Sequence, residues 1–286
     1  MANLKEIRNR IASVSSTMQI TSAMKMVSAA KLKKAQDAIT AMRPYANKLT
    51  ELLQNLSGSL EGDSGSQYAH NREVKKVLVV SITSNRGLCG AFNSNIIKES
   101  VSLYHGKYAG KQVDFMTIGK RGNDILKKKF KVVSNHNGVF DDLTFENVAA
   151  IAENLMERFT TGEYDRIDLV YNQFKNAATQ IVMNEQFLPI VPMEGDASGI
   201  ADYIFEPSKA EIVEQLIPKS LKTQLYKAIR DSFASEHGAR MTAMHKATDN
   251  AGELRDELKL TYNKARQAAI TNEILEIVGG AEALNN

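Results

Sequence analysis

The chain has 286 residues, with 36 basic and 33 acidic side chains, five histidines and one cysteine, for a formal net charge of +3. That length fits one large domain or two modest ones, and the near-balanced charge excludes a nucleic-acid binder defined by bulk basicity. A lone cysteine excludes an internal disulfide framework and a multi-cysteine zinc site, and the histidines show no metal-ligand spacing. The opening "MANLKEIRNR" lacks the apolar core of a secretory signal, and no apolar run approaches the roughly 20 residues that cross a bilayer. The expectation is a soluble chain of a reducing compartment, able to sit against a membrane complex.

Residues 1–57 contain no glycine and only one proline, Pro44. Apolar side chains recur in steps of three and four at Leu4, Ile7, Ile11, Val14 and Met18, then at Leu32, Ala35, Ile39, Met42, Ala46, Leu49, Leu53 and Leu56. Between these blocks the stripe carries Thr21, Lys25 and Ser28. This is a heptad seam with a polar gap, the signature of a coiled coil. A continuous helix of that length would reach roughly 80 Å, kinked rather than ended by Pro44. The Gly/Ser/Asp run "SGSLEGDSGSQ" at 57–67 stops it.

The middle alternates strand-like and helix-like segments. "KVLVVSI", "QVDFMTIG", "KVVS", "RIDLVYNQF" and "TQIVMNEQFLPIV" are rich in β-branched and aromatic residues and read as strands. "NSNIIKESVSLYHG", "KRGNDILKKKF" and "ENVAAIAENLMERFTTG" read as helices between them. Such alternation predicts an α/β, Rossmann-like domain of mostly parallel strands over residues 74–195. The irregular "EGDASGIADYIFEPS" leads on to a C-terminal arm, 207–286, whose seam reads Met244, Ala247, Ala251, Leu254, Leu258, Thr261, Ala265 and Ala268. Two terminal arms of matching period predict an antiparallel coiled coil with each other, its small residues allowing close approach.

Three function classes compete. Gly87 and Gly90 in "SITSNRGLCGAFN" follow a strand, so a phosphate cradle is conceivable. Neither GxGxxG nor GxxxxGK[ST] is present, however, and in "TIGKRG" Arg121 stands where a magnesium-binding hydroxyl is needed. Cys89 could be a nucleophile, but His70, His105, His136, His237 and His245 sit in no recognisable base motif, and a lone cysteine among apolar residues is more often a small packed side chain. Glu273 and Glu276, three apart on a helix, more often form a solvated face than an acid–base pair. Lys25, Lys31, Lys33 and Lys34 form a basic cluster with no aromatic interleaving, which fits a solvated face or an acidic protein partner better than nucleic acid. An interaction scaffold and an enzyme both remain open on these grounds.

Four segments resemble one family over almost the whole length: "IRNRIASVSSTMQITSAMKMVSAAKLKKA", "SNRGLCGAFN", "SEHGARMTAMHKATDNAGEL" and "YNKARQAAITNEILEIVGGAEAL". They look like the γ subunit of the F-type ATP synthase. In the last segment Ile270, Thr271, Glu273, Glu276, Gly280, Ala281 and Ala283 stand at the spacing by which that family is recognised. The resemblance implies a central rotor shaft: terminal helices paired inside a ring of α and β subunits, and the α/β domain set against an ε-type subunit and the membrane-embedded c-ring. It implies one copy per complex and no bond chemistry in the chain itself. No cofactor is implied here, because ATP, ADP and magnesium bind the partner subunits.

By the same resemblance Arg266 and Gln267 match the pair that meets a catch loop of the β subunit, and Thr271 and Glu273 belong to that region. Met24 matches a position near the acidic β-subunit lever where added charge would disturb coupling, and Arg240 matches its counterpart on the opposing arm. Lys25, Lys31, Lys33 and Lys34 then acquire an acidic partner, as does Arg86 in the glycine loop. The polar gap at Thr21, Lys25 and Ser28 suggests loosened packing at the level of the levers, which leucines at Lys25 and Ser28 would stiffen. Asn85 departs from the aspartate the family often carries before the arginine of this loop. The absence of a chloroplast-type cysteine insertion implies no thiol switch. The lack of a transit peptide fits a bacterial chain, which would sit at the cytoplasmic face of the plasma membrane, or a mature organellar one, which would not.

Overall fold

The computed structural model describes residues 4–57, 66–69, 72–190 and 209–284. Most of the loop expected at 57–67, and all of the irregular stretch at 194–208, lie outside the described residues. In chain order the elements are α1 (Leu4–Ser57), α2 (Ser66–Ala69), β1 (Lys76–Ile82), α3 (Phe92–His105), β2 (Gln112–Ile118), α4 (Lys120–Leu126) and β3 (Val132–Asn135). A 3-10 turn (Asn137–Phe140), α5 (Phe145–Thr160), β4 (Arg166–Phe174), β5 (Gln180–Leu188) and α6 (Lys209–Leu284) follow. Long terminal helices around a central sheet are therefore what the chain forms. Contacts divide it into two compact units, one of Met1–Ser28 with Met241–Asn286 and one of Ala29–Arg240.

In the first unit, α1 and α6 run antiparallel. Arg8 donates to the Tyr262 hydroxyl at 2.8 Å, Met18 lies beside Gly252 and Arg255, and Thr248 donates to Thr21 at 2.8 Å. On the part of α1 in this unit the expected seam holds, with Ile7, Thr21 and Ser28 buried; Leu53 and Leu56 of the expected seam lie outside the described side chains. On α6 three of the eight expected seam positions move by one residue. Met244 and Ala251 are buried, but Leu254 is 46% exposed, and Arg255, Tyr262 and Ala269 turn inward where Leu254, Thr261 and Ala268 were expected. Both choices keep the three-four rhythm. The inward set wins because Arg255 and Tyr262 lay their long stems over the partner helix and bond Met18 and Arg8 with their polar ends.

The polar gap is also closed rather than loose. Thr21 is 8% and Ser28 3% exposed, and Thr21 passes its own proton to the Met18 carbonyl while accepting from Thr248. Leucine at Ser28 therefore overpacks a filled position, and is expected to destabilise by about 1–3 kcal/mol rather than stiffen the arm. Urea unfolding of the Ser28→Leu chain checks this, and an unchanged or raised midpoint would show spare room beside Ser28.

The second unit holds a five-stranded sheet in the order β3-β2-β1-β4-β5, parallel except for the final β4–β5 hairpin. Strand side chains alternate between two cores, which is why the central strands read as continuous apolar runs. Leu78, Val80, Ile82, Ile118 and Leu169 meet α5 and the first part of α6 through Leu155, Phe159, Leu221, Leu225 and Ile229. Val77, Val79, Phe115 and Val170 meet α3 and α4 through Ile96, Leu103 and Leu126. Helix α4 stops four residues short of the segment that reads as helical. Phe130 leaves the helix to pack its ring 5.2 Å from Phe115 and 4.9 Å from Tyr104, and that burial outweighs the helix propensity of Lys127–Lys129.

Because β1 is flanked by β2 and β4, the crossovers leave it in opposite directions. The loop after β1 therefore lies at the switch point, where open α/β sheets usually hold a ligand.

Candidate functional site

The loop after β1 is fixed by its own polar side chains. Ser84 is fully buried, donates from Oγ to the Arg86 carbonyl at 2.5 Å, and takes the Asn93 side chain through N–H and hydroxyl. Asn93 Nδ2 also reaches the Cys89 sulfur at 3.2 Å. Cys89 is 2% exposed, and burial pushes its thiol up despite the nearby Ser84 hydroxyl and Arg240, so it behaves as a packed side chain rather than a ready thiolate. The left-handed turn is made by Leu88 (φ 61°) and Gly90 (φ 58°), not by Gly87. Gly87 instead admits Arg121, whose guanidinium would stand 3.2 Å from an added Cβ. Leu88 is 64% exposed. A bulky residue held at positive φ with its side chain in solvent is strained without a packing return in this chain.

The neighbouring helix start, which would be the phosphate cradle, is already filled by protein. Asn85 Oδ1 accepts from Lys120 N–H at 3.0 Å, the Ser84 carbonyl from Arg121 N–H at 3.1 Å, and Thr83 Oγ1 from Gly122 N–H at 2.9 Å. Gly119 is required for this fit, since a Cβ there would fall 2.1 Å from the Thr83 carbonyl oxygen. Asn85 also donates from Nδ2 to the Asn137 carbonyl at 2.9 Å. An aspartate could not make that second bond, so the asparagine, where the family often has aspartate, ties two loops together.

Helix α6 closes the switch point. Arg240, 7% exposed, donates from Nε and Nη2 to the Gly87 carbonyl and from Nη2 to that of Arg86. Its Nη1 meets Glu236 at 2.7 Å and the Nδ1 of His237 at 3.4 Å. Burial raises the Glu236 carboxyl against the pull of Arg240, Lys31 and Arg86. Burial also lowers His237 to about 4, helped by Arg240 and Lys31, so its ring is neutral and can accept from the guanidinium. A second clamp sits further along, where Arg43 of α1 donates to the Phe174 carbonyl and to the fully buried Asp231 at 3.0 Å. Ser235 adds a bond to the Asn172 carbonyl of β4.

Of the residues singled out in the sequence, the second unit brings Arg240, Arg86 and Lys31 into one electrostatic group around Glu236. Arg86, Lys31, Lys33 and Lys34 are exposed, whereas Arg240 is spent inside. In the first unit Met24 and Lys25 are half-buried beside the exposed apolar side chains of Ile20 (60%), Met26 (64%) and Val27 (57%). Arg266, Gln267, Thr271 and Glu273 are exposed, lying beyond the point where α6 meets Arg8. Every residue from Ile270 to Ala281 is exposed, including Ile270, Ile274, Ile277 and Val278 on one helix face. Glu236, Asp231, Arg43 and Leu88 escape sequence reasoning, and His237 enters it only as a candidate base for Cys89. Only the "EHGAR" segment, with three ionisable groups in a five-residue helical stretch, carried a usable signal.

The switch point is filled by the chain's own side chains, and the long helices carry exposed apolar flanks, the surface of a protein built of extended helices around an α/β domain. A family model described as ATP synthase matches residues 3–284. The ATP synthase gamma chain of Flavobacterium johnsoniae is 78% identical over 286 residues, 100% of both chains. That of Christiangramia forsetii is 68% identical over 285 residues, again 100% of both. Among solved structures, a chain of the Tetrahymena thermophila mitochondrial ATP synthase central stalk/c-ring is 27% identical with a TM-score of 0.58, covering 80% of this chain and 99% of that one. A rotor chain of the Euglena gracilis mitochondrial ATP synthase shares the fold at 21% identity, TM-score 0.66, over 93% and 98%. The chain belongs to the ATP synthase family, among its gamma chains.

Proposed function

We propose that this chain is the central-stalk rotor subunit that couples turning of a membrane-embedded c-ring to ATP synthesis and hydrolysis in partner β subunits. The carrying observation is the unpartnered end of α6. From Ile270 to Ala281 a regular helix keeps large apolar side chains in solvent, with Ile277 71% exposed. Apolar surface of that kind on a rigid helix calls for an enclosing partner, and a ring of α and β subunits supplies one. The place of the Tetrahymena relative in a central stalk/c-ring assembly supports this reading over a scaffold with no rotary role. In this reading the shaft is made by the parts of the 1–57 and 207–286 arms that pair in the first unit, and the foot by the 74–195 domain with the first part of α6 packed on its sheet.

The physical work of such a subunit is differential contact. Each orientation of an asymmetric shaft has a different contact free energy with each β-subunit conformer, and so shifts nucleotide affinity without touching nucleotide. Arg266, Gln267, Thr271 and Glu273 are the contacts for a catch loop. Met24 and Lys25 with the apolar patch around them, and Lys31, Lys33 and Lys34, face the acidic levers. Exposed pairs of this sort contribute only about 0–1 kcal/mol each, enough to bias rotation but not to hold the assembly. Arg240 acts indirectly, by holding the loop that presents Arg86 and Leu88. The chain is non-catalytic and needs no cofactor, since ATP, ADP and magnesium belong to the α and β subunits. An ε-type subunit and the c-ring complete the partners, with one copy of this chain per complex. Among the described residues no helix is long and apolar enough to cross a membrane, in keeping with a peripheral place on the cytoplasmic face of a bacterial plasma membrane.

Co-purification on a tag carried by this chain should bring down α and β subunits in about threefold excess, and a bead fixed to the chain in the surface-held complex should turn on adding ATP. Recovery of the chain without that ring, or a ring that hydrolyses ATP while the bead stands still, would overturn the proposal.

A further inference from the structure

A groove of about 710 Å³ lies between the end of β3 and one face of α5. It is lined by Asn135, His136, Asn147, Asn154 and Arg158, over an apolar floor that includes Val139 and Ile151, and no carboxylate lines it. Its polar lining is rich in uncommitted donors. Asn154 accepts from Arg158 Nε at 2.9 Å and Asn135 accepts from Thr117 at 3.2 Å, which leaves each amide NH₂ without a partner among the described residues. Arg158 gives Nη1 to Glu163 at 3.0 Å and keeps Nη2 uncommitted. His136 engages Ser134 through Nε2 at 3.2 Å, leaving Nδ1. Burial and the positive charge of Arg158 both lower His136 below the ordinary imidazole range. Glu163 pairs with only one end of the Arg158 guanidinium, so Nη2 and the amide donors face a groove whose own lining carries no carboxylate.

We propose that this groove is a binding site for a small oxyanion, of the phosphate or carboxylate class, carried on a compact apolar body. The oxyanion takes the Arg158 guanidinium and the amide donors of Asn154 and Asn135, and the apolar body rests on Val139 and Ile151. The volume lies within the range of small-molecule sites, and charge-assisted bonds from arginine give the specificity for an oxyanion. Nothing in the rotary role requires the site.

The test uses the full chain, titrated with inorganic phosphate, phenyl phosphate or acetate at constant ionic strength set by chloride. The ring signals of the five histidines in the nuclear magnetic resonance spectrum serve as position-resolved reporters. The expected result is a saturating shift confined to His136, tighter for phenyl phosphate than for inorganic phosphate. Saturation by acetate alone would assign the carboxylate source, and saturation by the phosphates the phosphoryl one. Loss of a charge-assisted bond in Arg158→Gln should weaken binding by about 10-fold or more. Asn154→Ala, which leaves the Arg158–Glu163 pair in place, should also weaken it and guards against a folding defect in the first variant. Shifts that stay linear, that move all histidines alike, or that persist unchanged in both variants would overturn the site.

Discussion

Arg240→Met is expected to cost about 3–5 kcal/mol of stability and to release the loop after β1, the largest single effect predicted for this chain. Two consequences add up. Glu236, with a side chain 10% exposed, loses its 2.7 Å partner and remains as a buried carboxylate, and the carbonyls of Gly87 and Arg86 lose their donors. Methionine matches the arginine stem in length, so packing is largely kept and the loss isolates the polar contacts. The double variant Arg240→Met with Glu236→Gln separates the two costs. If the stranded charge dominates, the double variant recovers most of the stability. If the loop carbonyls dominate, it stays as unstable as the single one. Urea unfolding gives the energies, and amide hydrogen exchange in residues 84–90 reports the loop directly. A single variant within about 1 kcal/mol of the parent would mean that the loop holds itself through Ser84 and Asn93 alone.

The functional stake is the exposed Leu88 at φ 61°. Once the carbonyls at 86 and 87 are free, nothing on the α6 side holds that strained residue outward. In an assembled rotor the variant should then bind its partners but present Arg86 and Leu88 poorly, lowering coupling more than affinity.

Much of this is legible in the sequence. β1 and β4 coincide with the segments that read as strands, because burial on both faces concentrates β-branched and aromatic residues along them. The heptad stripe of α1 held through its polar gap, since Thr21 and Ser28 are small enough to be buried and bonded. The seam of α6 departs from expectation at three positions for the opposite reason. Leu254 is apolar and Arg255 charged, so hydropathy favours the wrong column, and only the partner helix reveals that Met18 receives the arginine. The site was less legible still. Gly87 and Gly90 announce a turn, but the left-handed position falls on Leu88, which composition cannot flag. The bonds that make the loop a site come from Arg240, 153 residues away in sequence from Gly87. Contacts of that separation leave no local periodicity to read.

Acidification is expected to weaken the chain through His237, and His237→Gln to remove most of that sensitivity. The folded-state pKa of His237 is about 4, below the ordinary 6.5, because the ring is buried beside Arg240 and Lys31. Between those two values the unfolded chain takes up a proton that the folded chain refuses. Stability is therefore fully present above about pH 6.5 and is lost as pH falls toward about 4, by about 2 kcal/mol near pH 5. Glu236 and Asp231 work against this trend. Burial raises both carboxyls, so in the folded chain they bind protons first on acidification, which returns some stability below their raised values. The net curve should fall from neutral pH and then flatten as the carboxyls protonate. Glutamine at position 237 keeps a side-chain oxygen for Arg240 and has no proton to gain, so its unfolding midpoint should change little between about pH 7 and pH 5. An equally steep fall in the variant would place the acid sensitivity elsewhere, with His136 next in line, because burial lowers it in the same direction. The outcome also bears on the loop. Protonated His237 faces Arg240 at 3.4 Å with like charge, so the group that unfolds first in acid is the one that fastens the loop, and exchange at 84–90 should rise before the global transition begins.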